Sequence, residues 1–313
     1  MHKILISAPY MLRDREKIQK LLSPYPLQIT WADVKERLEE ADLLPIIGDF
    51  HGLICGDDRI TPRVLDQAKL LKVIVKWGTG IDSINKPEAE RRGIPVCRTP
   101  NAFTEPVADT TLAYILAFCR KVFENDLVLK NGGWDKPQGI ALFERTVGLI
   151  GFGDIGVAVA KRLFGFGARV LAYDIVEKDA GLAAQLGVKF VKDKRELFEQ
   201  SDFISLHCDL NSTSEHILND EAFIQMPRKP YIINTARGPL IDEPALIVAL
   251  QSGQVAGAGL DVFEHEPLPV SSPLRKMSNV ILASHNSNNS PKCWDRVHEN
   301  SIRMLLEKLG LQA

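Results

Sequence analysis

Short apolar runs alternate with amphipathic segments along most of the chain. In the first hundred residues, five apolar runs have the composition of buried strands: KILISA, LQITWA, GLICG, LKVIVKWG and IPVCR. The segments between them have helical spacing: REKIQKLL, DVKERLEE, TPRVLDQA and NKPEAERR. Strands that alternate with helices indicate a parallel, doubly wound sheet, so we predict an α/β domain in this part of the chain.

A second α/β pattern follows a single long helical stretch. That stretch, TEPVADTTLAYILAFCRKVFENDLVLK, predicts one helix over residues 104–131, with Thr104 as its candidate cap. Seven further strand-like runs come next: TVGLI, RVLAYD, VKFV, DFISLHC, YIINTA, GAGLDVF and NVILAS. A charged amphipathic helix is expected over residues 291–309 and would return to the first domain. The prediction is therefore two doubly wound parallel-sheet domains, one of residues 1–103 and 287–313 and one of residues 104–286.

Composition narrows the class of protein. The chain has 313 residues, of which 45% are hydrophobic and 25% charged, and its formal net charge is −2. This balance gives no overall basic field, so we expect neither a nucleic acid nor a membrane surface as partner. Five scattered cysteines without metal-ligand spacing indicate reduced thiols and no structural metal. With no signal-like or membrane-spanning run, the chain is expected to be cytoplasmic.

The run GFGDIG, residues 151–156, lies between a predicted strand and a predicted helix. Gly151 would permit the tight turn, Gly153 would let the backbone approach a pyrophosphate, and Gly156 would let the helix pack closely on the strand. Backbone N–H groups at the start of the helix, at Asp154 and Ile155, would face the anion. The pattern indicates a dinucleotide site.

Asp174 ends the next strand, RVLAYD, about 20 residues beyond the glycines. A carboxylate there would accept hydrogen bonds from ribose hydroxyls and repel a 2′-phosphate, and no arginine follows at residues 175 and 176. We therefore predict NAD rather than NADP. The alternative interpretation is an ordinary strand-to-helix turn with a capping or surface aspartate.

Polar groups also follow other predicted strands. In KWGTGID, the small residues Gly78, Thr79 and Gly80 could present backbone N–H groups to a carboxylate, although an ordinary glycine-rich turn has the same pattern. In the second half, four side chains follow three different strands: Arg237, Asp261, Glu266 and His285. Carboxyl ends of parallel strands share one edge of a sheet, so these groups are expected to converge there.

Together, GFGDIG with Asp174, NTARGPLIDEPAL, GAGLDVFEHEPL and NVILASH resemble the D-isomer-specific 2-hydroxyacid dehydrogenase family. The resemblance covers nearly the whole chain, including WGTGID and the final helix. It implies an NAD-binding Rossmann domain, a split flavodoxin-like substrate domain, a cleft between them and a homodimer. The implied activity is NAD-dependent hydride transfer between the nicotinamide and a small D-2-hydroxy or 2-oxo acid.

The resemblance also assigns roles to individual residues. Arg237 would bind the substrate carboxylate and carbonyl, His285 would be the acid/base, and Glu266 would be its paired carboxylate. Thr79 and Gly80 would hold the substrate carboxylate through backbone amides. Asp261 would contact the nicotinamide carboxamide, and the remaining cofactor contacts would be Thr104, Cys208, Thr235 and Ala236.

Three alternatives stay open at this point. A non-catalytic NAD-sensing corepressor or scaffold would keep GFGDIG and Asp174 without needing the trio of Arg237, Glu266 and His285. A formate- or phosphonate-type oxidoreductase of the same family would differ in substrate only. His207, which also follows a strand, rivals His285 as the catalytic histidine.

Departures from the family pattern bear on the substrate. Ser284 stands where the family usually has proline, an amide-rich run follows His285, and Asp209 replaces another common proline. The run GLICGDD offers no arginine where phosphoglycerate dehydrogenases commonly bind a phosphate. We therefore expect a polar, hydroxylated acid rather than 3-phosphoglycerate.

Overall fold

The computed structural model describes residues 1–311, which form two compact units. The first unit comprises Met1–Phe103 and the segment from Asn289 onward, and the second comprises Thr104–Asn288. The predicted boundary between the second unit and the returning segment lies two residues earlier, between residues 286 and 287. Residues 312 and 313, which end the predicted substrate domain, lie outside the described residues. Across residues 1–311, no helix combines the length and apolar character needed to cross a bilayer.

The first unit is built on a five-stranded parallel sheet in the order β2-β1-β3-β4-β5. Its elements up to residue 103 are β1 (His2–Ile6), α1 (Pro9–Arg13), α2 (Arg15–Leu22), β2 (Leu27–Trp31), α3 (Glu40–Leu43), β3 (Gly52–Cys55), α4 (Pro62–Gln67), β4 (Val73–Lys76), α5 (Lys86–Arg91) and β5 (Val96–Cys97). All five predicted strands are present. The central strands β3 and β4 are buried along their whole length, as expected for a sheet covered on both faces.

One predicted helix of this unit is wrong. The segment DVKERLEE, residues 33–40, has helical spacing but is irregular, and a helix begins only at Glu40. Its backbone is bound elsewhere: the N–H of Leu38 donates to Asp58 Oδ1 (2.8 Å), and the carbonyl of Leu38 accepts from Arg59 N–H (3.0 Å). These tertiary hydrogen bonds override a weak local helix propensity.

The second unit is built on a seven-stranded parallel sheet in the order β12-β11-β10-β9-β6-β7-β8. Its elements are α6 (Thr104–Arg120), α7 (Val122–Lys130), β6 (Thr146–Ile150), α8 (Asp154–Gly165), β7 (Arg169–Tyr173), α9 (Ala180–Gln185), β8 (Val188–Phe190), α10 (Lys194–Gln200), β9 (Phe203–Leu206), α11 (Asp220–Ile224), β10 (Tyr231–Asn234), α12 (Glu243–Ser252), β11 (Gly257–Leu260) and β12 (Val280–Leu282). All seven predicted strands are present, and the predicted fold class is confirmed.

The long helix predicted over residues 104–131 is two helices. Helix α6 ends at Arg120, and Lys121 has a positive φ of 51° before α7 begins. The carbonyl of Cys119, which a continuous helix would use internally, accepts instead from the N–H of Ile140 (2.9 Å). The two helices also differ in burial, because α6 packs against the sheet whereas α7 has no buried residue.

The final helix, α13 (Pro291–Lys308), belongs to the first unit. It contacts β3 and β4, and its buried face carries Val297, His298, Ser301, Ile302, Leu305 and Leu306. A methyl group added at Gly52 of β3 would lie 2.7 Å from Leu305, so helix and strand pack without space for a side chain. The helix predicted over residues 291–309 is therefore present one residue shorter.

Candidate active site

The glycine turn lies between β6 and α8 in the second unit. Gly151 has φ +96°, and a Cβ there would lie 2.5 Å from the backbone nitrogen of Cys208. A Cβ at Gly156 would lie 2.4 Å from the carbonyl oxygen of Gly151, so this helix residue must also lack a side chain. Gly153, in contrast, faces open space, because a Cβ added there would meet no atom within 4 Å. Gly153, which precedes α8, has no side chain to cap the helix, so among the described residues no N-cap hydrogen bond occupies the N–H groups of its first turn.

Asp174 follows β7, which pairs directly with β6. Its Oδ2 accepts from Phe152 N–H (2.7 Å) and its Oδ1 from Val176 N–H (2.9 Å), while the ammonium of Lys178 lies 3.2 Å from Oδ2. Burial alone would raise the pKa of Asp174, but these three donors outweigh it and hold the pKa below its ordinary value. Asp174 is therefore a charged acceptor at the glycine turn. Sequence reasoning missed Lys178, although its i,i+4 spacing from Asp174 was readable.

Glu266 and His285 form a hydrogen-bonded pair. Oε2 of Glu266 lies 2.9 Å from Nδ1 of His285, and Oε1 accepts from Phe263 N–H (3.0 Å). Both side chains are largely buried. A carboxylate only accepts hydrogen bonds, so Nδ1 of His285 is the protonated nitrogen of the pair. Proton exchange with a substrate would then take place at Nε2.

Asp261 holds the segment that carries His285. Its carboxylate is fully buried, and its two oxygens accept from the N–H groups of Asn286 and Ser287, each at 3.0 Å. The backbone N–H of His285 donates to the carbonyl of Asp261 (2.7 Å), and His285 has a positive φ of 50°. A non-glycine residue in this conformation needs support from its surroundings, and Asp261 supplies it.

Arg237 follows β10 in a turn that packs tightly against the Glu266 segment. Asn234 Nδ2 donates to the carbonyl of Arg237, and Nη1 of Arg237 donates to the carbonyl of Ala236, both at 2.8 Å. At the next residue, Gly238, a Cβ would lie only 1.9 Å from the backbone carbon and oxygen of Phe263. The Arg237 turn and the Glu266 segment are thus locked together by backbone contact.

Strand order explains why these groups lie along one edge of the second unit. Arg237, Glu266 and His285 follow β10, β11 and β12, which are consecutive neighbours, and parallel strands end on the same side. Other predicted cofactor residues follow neighbouring strands or begin α6. Cys208 follows β9, Thr235 and Ala236 follow β10, and Thr104 is the first residue of α6. The Thr235 hydroxyl lies 3.1 Å from that of Thr111 in α6.

His207, the rival histidine, has a different setting. Its Nε2 lies 2.9 Å from the hydroxyl of Ser205, and burial lowers its pKa, so the ring is neutral. Its backbone carbonyl packs against Gly151, where an added Cβ would lie 2.6 Å from the carbonyl oxygen of His207. These contacts favour a structural role for His207. Burial also raises the pKa of the neighbouring Cys208 to about 11, so that side chain is a neutral thiol.

In the first unit, the turn of residues 77–80 follows β4. Gly78 has φ +121°, its carbonyl accepts from Thr99 N–H (2.9 Å), and the Thr79 hydroxyl donates to the carbonyl of Thr99 (3.1 Å). Within residues 1–311, no backbone carbonyl accepts from the N–H groups of Gly78, Thr79 and Gly80. Lys76, just before the turn, is buried and donates to Gly56 O and Asp57 Oδ1, both at 2.6 Å.

A glycine turn after an interior strand and an acid/base pair at neighbouring strand ends are typical of a dinucleotide-dependent oxidoreductase. Residues 112–287 match the family model described as D-isomer specific 2-hydroxyacid dehydrogenase, NAD binding domain. The chain belongs to the D-isomer specific 2-hydroxyacid dehydrogenase family, and its cofactor is NAD. The family and the cofactor predicted from the sequence are both confirmed.

Individual relatives agree with this assignment. The glyoxylate reductase of Thermofilum pendens is 42% identical over 275 residues, which cover 86% of this chain and 81% of that protein. The hydroxypyruvate reductase of Thermotoga maritima is 36% identical over 304 residues, covering 95% and 96%. A solved structure of D-lactate dehydrogenase from Aquifex aeolicus, complexed with NAD and lactic acid, has a TM-score of 0.88 at 27% identity and covers 99% of this chain and 96% of that one.

Proposed function

We propose that the chain interconverts a small polar 2-oxo acid and its D-2-hydroxy acid, with NADH as reductant or NAD as oxidant. The observation that carries the proposal is the Glu266–His285 hydrogen bond at the ends of neighbouring strands in an NAD-binding domain. The names of the relatives, glyoxylate reductase and hydroxypyruvate reductase, support the same class of substrate.

The chain offers a fitting set of groups for the dinucleotide. Gly153 leaves open space for a pyrophosphate, the uncapped first turn of α8 presents N–H groups at Asp154 and Ile155, and the charged Asp174 suits ribose hydroxyls. Thr104, Thr235, Ala236, Cys208 and Asp261 are proposed as further contacts. When bound, NADH would supply the two electrons and one hydrogen that reduce the carbonyl carbon.

His285 is proposed to supply the proton. In the direction of reduction, Nε2 of the imidazolium would donate to the carbonyl oxygen, and in oxidation the neutral ring would accept the hydroxyl proton. Glu266 keeps the other proton on Nδ1, orients the ring and stabilises the positive charge. The pair therefore acts as one acid/base unit.

Arg237 is proposed to bind the substrate carboxylate and to polarise the carbonyl. A guanidinium stays charged and can form two parallel hydrogen bonds to a carboxylate, which fixes the orientation of a small acid. In the first unit, the backbone N–H groups at Thr79 and Gly80 suit the same kind of anion. The ammonium of Lys76, just before this turn, is already paired with the carboxylate of Asp57 (2.6 Å). A balanced lysine charge agrees with the expectation that the substrate acid carries no phosphate.

The direct test is NADH oxidation, followed by its absorbance, with a panel of 2-oxo acids that includes glyoxylate, hydroxypyruvate, its phosphate and pyruvate. We expect turnover with the unphosphorylated acids and loss of about 10²- to 10⁴-fold in His285→Ala, with NADH affinity nearly unchanged. A protein that binds NADH but turns over none of these acids would contradict the proposal and favour the sensor or scaffold.

A homodimer is also proposed, with α7 in its interface. This helix has no buried residue and exposes Val122, Phe123, Leu127 and Leu129, and Trp134 just beyond it is 78% exposed. Five large apolar side chains exposed on one short segment favour association with a second copy. Light scattering after gel filtration should give twice the 34.8 kDa chain mass for the wild-type protein. The double variant Phe123→Glu, Leu127→Glu should give the mass of a single chain. A monomeric wild-type protein would overturn this assignment.

A cytoplasmic location is proposed as well. All five cysteines are free thiols, which agrees with a reducing compartment. Fractionation of the source cells should recover the protein with cytoplasmic markers, and recovery with exported proteins would contradict the proposal.

A further inference from the structure

A hydrogen-bonded chain of three side chains lies in the first unit, beside the turn of residues 77–80. The indole Nε1 of Trp77 donates to Nδ1 of His298 (2.9 Å), and Nε2 of His298 lies 3.2 Å from Oδ2 of Asp14. Trp77 is 3% exposed and His298 is completely buried. The three residues come from the end of β4, from α13 and from the junction of α1 and α2.

The direction of these hydrogen bonds fixes the state of His298. An indole N–H can only donate, so Nδ1 of His298 must be unprotonated and must accept. The single ring proton is then on Nε2, where the Asp14 carboxylate accepts it. A proton on Nδ1 would face the indole N–H and break the bond to Trp77.

The surroundings of His298 favour this neutral form. Burial lowers the pKa of His298, and the nearby Lys17 ammonium lowers it further, whereas Asp14 and Asp295 act in the opposite direction. Lys17 and Asp295 form an ion pair of their own (2.6 Å), which reduces their separate influence. The pKa of His298 is consequently below its ordinary value, and the ring is neutral at physiological pH.

Trp77 is the first residue of the turn, and it is held on several sides. Its backbone N–H donates to Cys55 O (2.9 Å), and its ring stacks on Tyr10 with centroids 4.5 Å apart. Further along the turn, the carbonyl of Gly78 and the hydroxyl of Thr79 are both hydrogen-bonded to the backbone of Thr99. The indole is therefore the side-chain anchor at the start of the turn.

We propose that His298 and Asp14 are positioning residues, which hold the indole of Trp77 and thereby the conformation of residues 77–80 that binds the substrate carboxylate. The substrate part of this inference rests on the proposed function. Neither residue takes part in proton transfer to the substrate, so their loss should weaken substrate binding more than it slows turnover.

The test compares His298→Leu with His298→Asn. Leucine removes the acceptor, whereas the side-chain oxygen of asparagine can replace Nδ1. Ser301→Ala is the matched control, because Ser301 is one turn further along α13, equally buried, and its hydroxyl has no partner within the described residues. We expect KM for the 2-oxo acid to rise about tenfold in the leucine variant, with kcat within about threefold and KM for NADH unchanged. The asparagine and alanine variants should stay near wild type.

A spectroscopic measurement separates this inference from the proposed function. The chain has four tryptophans, so protein labelled with ¹⁵N at the indole should give four N–H resonances, and Trp77→Phe identifies that of Trp77. We expect this resonance and the amide resonances of residues 78–80 to shift in His298→Leu and to return in His298→Asn. Asp14→Ala, at a partly exposed site, gives a second variant if the leucine variant does not fold, and it should shift the same resonances.

Three results would overturn the inference. An unchanged Trp77 resonance in both His298→Leu and Asp14→Ala would mean that the hydrogen bond does not hold the indole. A shifted indole with unshifted amides of residues 78–80, or with an unchanged KM, would mean that the indole does not position the turn. A wild-type protein inactive with every oxo acid would refute the proposed function and the substrate part, while the resonances would still decide the positioning part.

Discussion

Gly238 offers a sharp test of the link between the Arg237 turn and the Glu266 segment. In Gly238→Ala, the new Cβ would lie 1.9 Å from the carbon and oxygen of the Phe263 backbone and 2.5 Å from the nitrogen of Glu264. Ordinary contact begins at 3.4 Å, so the peptide would have to move by about 1.5 Å. A flexible side chain could rotate away from the new methyl group, but a backbone peptide cannot.

The consequences can be estimated from this displacement. Overpacking of a well-packed site costs about 1–3 kcal/mol of folding stability, and more where only backbone can move. Because Glu266 follows Phe263 by three residues and accepts from its N–H, the movement would also displace the partner of His285. A misplacement of about 1 Å near reacting groups can lower the rate about 100-fold. We therefore expect kcat/KM to fall at least about 100-fold.

The assay combines thermal unfolding, NADH titration and steady-state kinetics with the preferred oxo acid. Gly165→Ala is the matched control, because a Cβ there meets nothing within 4 Å and the residue lies in the last turn of α8. It should leave activity unchanged and keep or slightly raise stability. If Gly238→Ala unfolded at the wild-type temperature and kept wild-type activity, the backbone contact between the two segments would be refuted.

Two further predictions concern charge. Asp174→Ala should raise KM for NADH about tenfold and narrow the preference for NADH over NADPH, because the carboxylate that repels a 2′-phosphate is lost while Lys178 remains. An unchanged ratio of kcat/KM with NADH to kcat/KM with NADPH would contradict this role of Asp174. For His298, the native pKa is below the ordinary value of 6.5, so the unfolded chain binds more protons below pH 6.5 and stability should fall as pH drops through that range. Urea unfolding at about pH 7.5 and about pH 5.5 should show a larger loss in wild type than in His298→Asn, which cannot titrate, and equal losses would contradict the buried neutral histidine.

The fold could be predicted from the sequence where the hydrophobic pattern alone determines the secondary structure. All twelve strands follow from short apolar runs, and the signal is clearest for interior strands such as β3, β4, β6 and β9, which are buried along their whole length. The helix predicted over residues 33–40 is wrong because helical spacing gives only a weak preference, which hydrogen bonds to Asp58 and Arg59 override. The break at Lys121 was missed because the competing contact, Ile140 to Cys119, comes from a segment about 20 residues away.

The same contrast applies to the candidate site. Arg237, Glu266 and His285 were found because each follows a recognisable strand, and parallel topology brings the ends of neighbouring strands to one edge. The supporting contacts were not readable in the same way. Trp77 and His298 are 221 residues apart, and nothing in either local pattern indicates that an indole and an imidazole meet. The backbone bonds from Asn286 and Ser287 to Asp261 likewise depend on a loop conformation that no residue pattern specifies.

The central claim is that His285 and Glu266 act as one acid/base unit, and a double-mutant cycle on kcat/KM tests it most directly. His285→Ala should lose about 10²- to 10⁴-fold, and Glu266→Gln should lose less because the imidazole remains. If the two act together, the double variant will be no slower than His285→Ala alone, since Glu266 has no further role once the ring is gone. Losses that multiply in the double variant would show that the two residues act independently and would contradict the mechanism.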